Sequence, residues 1–132
     1  MSETLLLQLV SPERMLVEEH VSEIQIPALN GFIGVLPGHA PLVSELKAGG
    51  VLTYQAAGGQ KLVAVYGGFV EVLPDRVRVL ADGAQPKEEI DLKAAQERLT
   101  KATAAAQGAQ DDSASALAEV LRAQAAVEAA SR

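Results

Sequence analysis

Apolar and polar residues alternate along the first two thirds of the chain. In VSEIQIPA, Ile24 and Ile26 share one face, and Glu23 and Gln25 share the other. In DRVRVLAD, Val77 and Val79 oppose Arg76 and Arg78. A period of two is that of strands with one face in a core and one in water. KLVAVYGG and GFVEVLP add short strands around Gly67-Gly68. Breakers recur at Pro12, Pro27, Pro37, Pro41, Gly49-Gly50, Gly58-Gly59, Gly67-Gly68 and Pro74. Short strands separated by close turns predict a β-sandwich or barrel. The spacing leaves no room for parallel βαβ units.

Near Pro86 the period changes. Between Asp91 and Arg132 there are 15 alanines, no proline and a single glycine, Gly108. Leu92, Ala95, Leu99, Ala102 and Ala106 form one helical stripe, and Leu117, Val120, Leu121 and Val127 a second. Asp91 is a candidate N-cap of the first helix, with Glu88 and Glu89 suited to the positive end of its dipole. Gly108 is a candidate C′ residue, and Asp112 or Ser113 a candidate cap of the second helix. So short a connection favours an antiparallel hairpin. The predicted class is α+β: an antiparallel β-sandwich or barrel over residues 1–86, then a helical hairpin over 87–132.

Alanine favours helix but supplies little apolar area. Six large apolar side chains serve both helices. At ~1.5–3 kcal/mol for each full burial, gross docking is on the order of 10 kcal/mol, before ordering entropy is subtracted. Such a unit forms easily and docks weakly, so it can move or repack on a partner. The alternative is a static hairpin that completes the fold.

Composition narrows the function. Apolar residues make up 48% of 132, which allows a packed core. The net charge of −6 offers no basic face for nucleic acid. With no cysteine, disulfides and thiolate sites are excluded, and His20 and His39 are too far apart for a local metal motif. No apolar run reaches the ~20 residues of a membrane span, and the MSETLLLQLV start, with Glu3 and no basic residue, does not resemble a signal peptide. No serine lies in a nucleophile elbow, and no glycine-rich phosphate loop precedes a helix. Glu18-Glu19 read as solvated surface, as does His20, placed between strand segments, and Gly67-Gly68 as a bulge or close strand approach.

NGFIGVLPGHAPL, residues 30–42, holds three glycines and two prolines. Asn30-Gly31 marks one turn and Pro37-Gly38 another, while Pro37 and Pro41 fix backbone angles. Phe32 either points outward or tucks into the core. The stretch is predicted to be a stiff, shaped surface, the kind of loop that binds.

Here the residues resemble a known family. PALNGFIGVLPGHAPLVSELKAGG, VAVYGGFVEVLPDRVRVLAD and EEIDLKAAQERLTKA are similar, in order, to segments of the epsilon subunit of F-type ATP synthases, called delta in mitochondria. The resemblance implies a ten-stranded sandwich followed by a helical hairpin. It also implies a non-catalytic subunit of the rotating stalk, on the cytoplasmic or stromal face of an energy-transducing membrane. The implied partners are the gamma subunit, the c-subunit ring and, through the hairpin, the catalytic alpha and beta subunits. Direct membrane insertion is not implied. Asn30, Gly31, Phe32 and His39 fall in the region that faces the ring, and Phe32 stands where relatives often carry a polar or acidic residue.

Some members inhibit ATP hydrolysis through an extended hairpin, and some bind ATP through Ile/Leu-Asp-x-x-Arg-Ala. Ile90, Asp91 and Ala95 match that motif, but Ala94 replaces the arginine, so no cofactor is expected. From residue 113 onward Arg122 and Arg132 are offset by Glu119 and Glu128, which implies modest inhibition at most. The competing classes are a ligand-sensing module and a free-standing enzyme.

Overall fold

The computed structural model describes residues 3–108 and 113–132. Ten strands come first: β1 (Leu5–Val10), β2 (Met15–Val21), β3 (Glu23–Ala28), β4 (Gly31–Val35), β5 (Leu42–Glu45), β6 (Gly50–Ala56), β7 (Gly59–Val65), β8 (Gly68–Leu73), β9 (Arg76–Ala81) and β10 (Ala84–Pro86). A 3-10 turn, Lys87–Glu89, then leads into α1 (Leu92–Gly108) and α2 (Ser113–Ser131). The strands form two five-stranded sheets, ordered β2-β1-β9-β8-β5 and β10-β7-β6-β3-β4. Two separate sheets decide for a sandwich over a barrel. Pairing is antiparallel except between β1 and β9, which run parallel in the register Leu7↔Val77 and Leu9↔Val79. No crossover helix makes that pair; the chain reaches it through the whole sandwich.

The alternation places the core as expected. Along β1, Leu5, Leu7 and Leu9 are fully buried, while Leu6, Gln8 and Val10 are only partly so. They meet Ile24, Ile26, Leu52, Val63, Val65, Val70, Val72, Val77 and Val79 in one cluster between the sheets. A one-residue slip would turn this whole set outward, so burial fixes the register. Gly68 marks the close strand approach its sequence predicts. Its φ is +123°, and a Cβ there would lie 2.1 Å from the Leu80 carbonyl oxygen.

Four details depart from the sequence reading. His20 lies within β2, exposed, rather than between strands. The hairpin turn is made by Leu29-Asn30, with Ala28 and Gly31 as its closing pair, one residue upstream of Asn30-Gly31. Only Gly31 takes positive φ there, at 133°, so the turn does not use the left-handed Asn that Asn-Gly hairpins favour. Gly108 is the last helical residue, not one beyond, because its φ stays out of the left-handed region. Glu88 and Glu89 lie in the 3-10 turn, and Glu89 is engaged by Arg14. The N-terminus of α1 is served instead by Asp91, whose carboxylate accepts from the Ala94 N–H at 3.2 Å. The expected cap of α2 at Asp112 or Ser113 lies outside the described side chains.

The first stripe holds: Ala95 and Ala102 are buried, and Leu92, Leu99 and Ala106 partly so. The second does not. Leu117 is 58% exposed, and Val120, Leu121 and Val127 are only partly covered. The buried residues of α2 are Ala123, Ala125, Ala126 and Ala129. Small side chains let the helix backbone approach the sheet, and that closeness excludes the larger ones from the seam.

Leu7→Ala is expected to lower the unfolding free energy by about 2–5 kcal/mol. Leu6→Ala, on the neighbouring partly buried position, should cost well under half of that. Urea unfolding followed by circular dichroism measures both; equal costs would contradict the register.

Candidate interaction surface

Among the described residues, nine large apolar side chains are exposed, and five of them fall between residues 29 and 43: Leu29, Phe32, Leu36, Leu42 and Val43. Strands β4 and β5 are edge strands of opposite sheets. The segment 29–43 therefore forms one flank of the sandwich.

The flank is stiffly held at both ends. At the first, Leu29 N–H donates to the Glu45 carbonyl (2.9 Å) and Lys47 N–H to the Pro27 carbonyl (3.0 Å). Phe32 points outward, 59% exposed, with the Lys47 ammonium 5.7 Å from its ring centroid. At the second end, Pro37-Gly38 makes a turn closed by His39 N–H to the Leu36 carbonyl at 3.2 Å. Gly38 has φ +88° there, the left-handed position that a proline-started type II turn requires. Its N–H also donates to the Pro74 carbonyl at 2.7 Å, which pins the loop to the β8–β9 turn. Pro41 follows, exposed, just before β5.

Asn30, Gly31 and Phe32 thus lie together, and His39 does not join them. It sits beyond the other end of β4, whose five residues span ~17 Å at about 3.3 Å each. The His39 Nδ1 lies 2.6 Å from the Ala40 carbonyl oxygen of its own loop. Sequence reasoning missed the neighbouring outer face. Val43, Phe69 and Leu80 line one cleft with Glu71 and Arg78, and are 70%, 55% and 52% exposed. The available signal was Phe69 falling on the same strand face as Glu71 in GFVEV.

The second candidate set lies at the hairpin. Ile90, Asp91, Ala94, Ala95 and Arg98 line an open cleft between the helices and β10. Where the motif's arginine would stand there is the Ala94 methyl, and Asp91 is committed to the cap. Arg98, one turn further on, is also committed. Its guanidinium donates to Glu119 Oε1 at 2.8 Å and lies 6.0 Å from the Tyr66 ring centroid. Tyr66 donates through its hydroxyl to Gln85 at 2.6 Å. Burial pushes the Tyr66 hydroxyl above its usual range, with Arg98 opposing that shift. The Glu119 carboxyl is held below its usual range, chiefly by the bond from Arg98, against a smaller effect of burial. Among the described residues no three His, Asp or Glu side chains gather as a metal site, and no helix is long and apolar enough to cross a membrane.

A sandwich with an apolar outer flank and a lightly docked hairpin is a shape suited to docking on other proteins. Comparison with known proteins agrees. The beta-sandwich domain of the ATP synthase delta/epsilon chain matches residues 4–87. ATP synthase epsilon chain of Solibacter usitatus is 52% identical over 101 residues, covering 76% of this chain and 75% of the relative. That of Rhodospirillum rubrum is 41% identical over 128 residues, covering 92% and 96%. A chain of the Euglena gracilis mitochondrial ATP synthase OSCP/F1/c-ring structure superposes with TM-score 0.83 at 28% identity, covering 98% of this chain and 82% of its own. A chain of the Tetrahymena thermophila central stalk/c-ring structure shares the fold, at TM-score 0.53 and 13% identity over 67% and 70%. The protein belongs to the ATP synthase delta/epsilon chain family.

Because the folded Glu119 pKa is depressed, the Arg98–Glu119 contribution is present above the ordinary glutamate range near ~4.3 and is lost as pH falls through the lower folded value. Carbon-detected NMR of the Glu119 carboxyl should place its midpoint below the ordinary range. Arg98→Ala should return it upward; an unmoved midpoint would assign the shift elsewhere.

Proposed function

We propose that the chain is the coupling foot of the central stalk in a proton-translocating F-type ATP synthase, lying peripherally on the cytoplasmic or stromal face of the membrane. The observation that carries this reading is the concentration of exposed apolar side chains on the β4–β5 flank. Monomeric surfaces rarely gather such patches without a partner. The ring-facing surface runs along this flank, from Asn30, Gly31 and Phe32 at one end to His39 at the other. The flank is long enough to use both ends, although they do not form one pocket.

The gamma subunit is assigned to the adjoining outer face, where Val43, Phe69 and Leu80 stand beside Glu45, Glu71 and Arg78. An apolar centre rimmed by charges suits a permanent protein interface. The hairpin then serves as a regulatory arm toward the alpha and beta subunits, with modest inhibition of hydrolysis. Its three arginines are paired: Arg98 and Arg122 with Glu119, and Arg132 with Glu128. The net charge of −6 argues against a nucleic-acid partner.

Phe32→Asp removes an apolar contact and sets a carboxylate beside Lys47. Losing one buried aromatic at ~1.5–3 kcal/mol corresponds to roughly tenfold or more in affinity. Co-purification of the ring with the detergent-extracted stalk should fall accordingly; unchanged co-purification would sink the assignment.

The hairpin cleft is proposed to take no nucleotide, because its polar side chains, Gln85, Glu89, Asp91 and Arg98, are already bonded within the chain. Titration calorimetry of the full chain with ATP should give no saturable binding in the micromolar range. A micromolar affinity would reverse this reading.

A further inference from the structure

Asn30 is the only asparagine in the 132 residues, and glycine follows it. The pair sits at the tip of the β3–β4 hairpin, on the exposed flank. Asparagine amides are among the heat-labile groups of proteins. Their weak point is attack on the side-chain Cγ by the backbone nitrogen of the next residue, and the next side chain usually obstructs it. Gly31 has none. A Cβ built there would meet nothing within 4 Å, so no neighbour shields that nitrogen in its place. Asn30 is exposed, and among the described residues no hydrogen bond holds its amide. The anchors of the turn are the N–H groups of Leu29 and Lys47, and neither binds Asn30. Gly31 pairs with Ala28 as the last rung of the hairpin, where fraying is easiest.

The chain holds one aspartate-glycine pair, Asp82-Gly83, capable of the same ring closure. The fold holds it still. Asp82 N–H donates to the Gly67 carbonyl at 2.9 Å, and the Gly83 carbonyl accepts from Tyr66 N–H at 2.8 Å. A Cβ at Gly83 would lie 3.4 Å from the Tyr66 ring. Ring closure needs the backbone to swing between the two residues. The hairpin tip permits that swing, and the junction after β9 resists it.

We propose that Asn30-Gly31 is a self-modifying site, which turns a neutral amide into a carboxylate at the tip of the flank. The Gly31 nitrogen gives its proton to a solvent base and bonds to Asn30 Cγ. The bond from Cγ to Nδ2 breaks, and Nδ2 takes a proton from solvent and leaves as ammonia. Water then opens the five-membered succinimide. Attack at the Cγ carbonyl gives aspartate; attack at the backbone carbonyl gives isoaspartate, whose chain runs through Cβ. Water is consumed, ammonia is released and nothing is oxidised. Either product adds one negative charge to a chain of net −6. Isoaspartate also inserts a backbone carbon between Ala28 and Gly31, the closing pair. Both changes fall two residues from Phe32, whose ring lies near the Lys47 ammonium. The main core cluster contains neither Asn30 nor Gly31. The site therefore alters the outward surface and leaves the sandwich folded.

Any effect on the ring rests on the ring-facing reading of the flank; the conversion does not. The folded full chain is incubated at mildly alkaline and at mildly acidic pH. Ion exchange, intact mass and peptide mapping then follow position 30. One added negative charge should appear there, faster in alkali, with isoaspartate detected by an isoaspartyl methyltransferase. Asn30→Gln should abolish the shift, because its longer side chain must close a larger ring. Asp82 should form isoaspartate far more slowly than position 30 in the folded chain, and the gap should narrow in urea. Conversion of Asn30 only in urea would overturn the proposal, as would equal rates at Asn30 and Asp82 in the folded chain. A partly converted sample is then offered to detergent-extracted stalk and ring stripped of this chain. Enrichment of the unconverted form in the bound fraction supports both the site and the ring contact. Equal composition of bound and free fractions keeps the site and removes the ring-facing reading.

Discussion

Everything outward on this protein is interpretable because the sandwich consumes every other residue of its strands. Five leucines, two isoleucines and a set of valines fill the space between two sheets of short strands, and the period of two assigns the strand residues among them to the inner face. An apolar side chain on the opposite face contributes nothing to that core. Val43, Phe69 and Leu80 are such residues, and so is Phe32 on the outer side of β4. Their cost in solubility has no return within the fold. The proposed interface accounts for them, along the β4–β5 flank and the adjoining face of β8 and β9.

The hairpin obeys a different rule. Sheets bury side chains, but α2 is buried by its backbone. On the sheet its contacts are Ala125, Ala129 and the backbone over Gly49. Close approach gains dispersion contacts and gives up the area that leucine or valine would have supplied. The six large apolar residues of the helices confirm the trade, since none of them is fully buried. Docking is thus lighter than even a count of those residues implied, and more sensitive to shape. Ion pairs at the rim are half-exposed and add little each. They set orientation more than strength.

The strands, the change from strands to helices and the exposure of Phe32 were legible because period and turn chemistry are local. The Asp91 cap was legible for the same reason. What failed were features that only the folded chain defines. The buried face of α2 could not be read, because a helix with alanine on every side shows its large residues first and conceals its small ones. Gly49 looked like any turn glycine, since nothing in AGGV says that a helix carbonyl will sit on it. The resemblance put His39 and Phe32 on one surface, and only the fold shows that β4 separates them along it. Phe69 was legible in principle from its place opposite Val70, but alternation was read for the core and not for what lay outside it.

One short segment joins the two surfaces. Leu46 is anchored in the core, Lys47 reaches over Phe32, Gly49 carries α2, and Gly50 is so close to Pro27 that a Cβ would lie 2.5 Å from its ring. Five consecutive residues therefore touch the outward turn at one end and the hairpin seat at the other. Coupling between distant sites needs a contiguous element with two arrangements, not proximity alone. The sheet offers only one arrangement, because its register is fixed by burial. At Gly49 the contact is with the backbone of α2 alone. A partner that drew Lys47 away from Phe32 would load the strand start on which the helix rests, and the weakest joint in its path is the backbone contact at Gly49. The same physics that makes the hairpin easy to form makes that contact the place where a load on the flank would be felt.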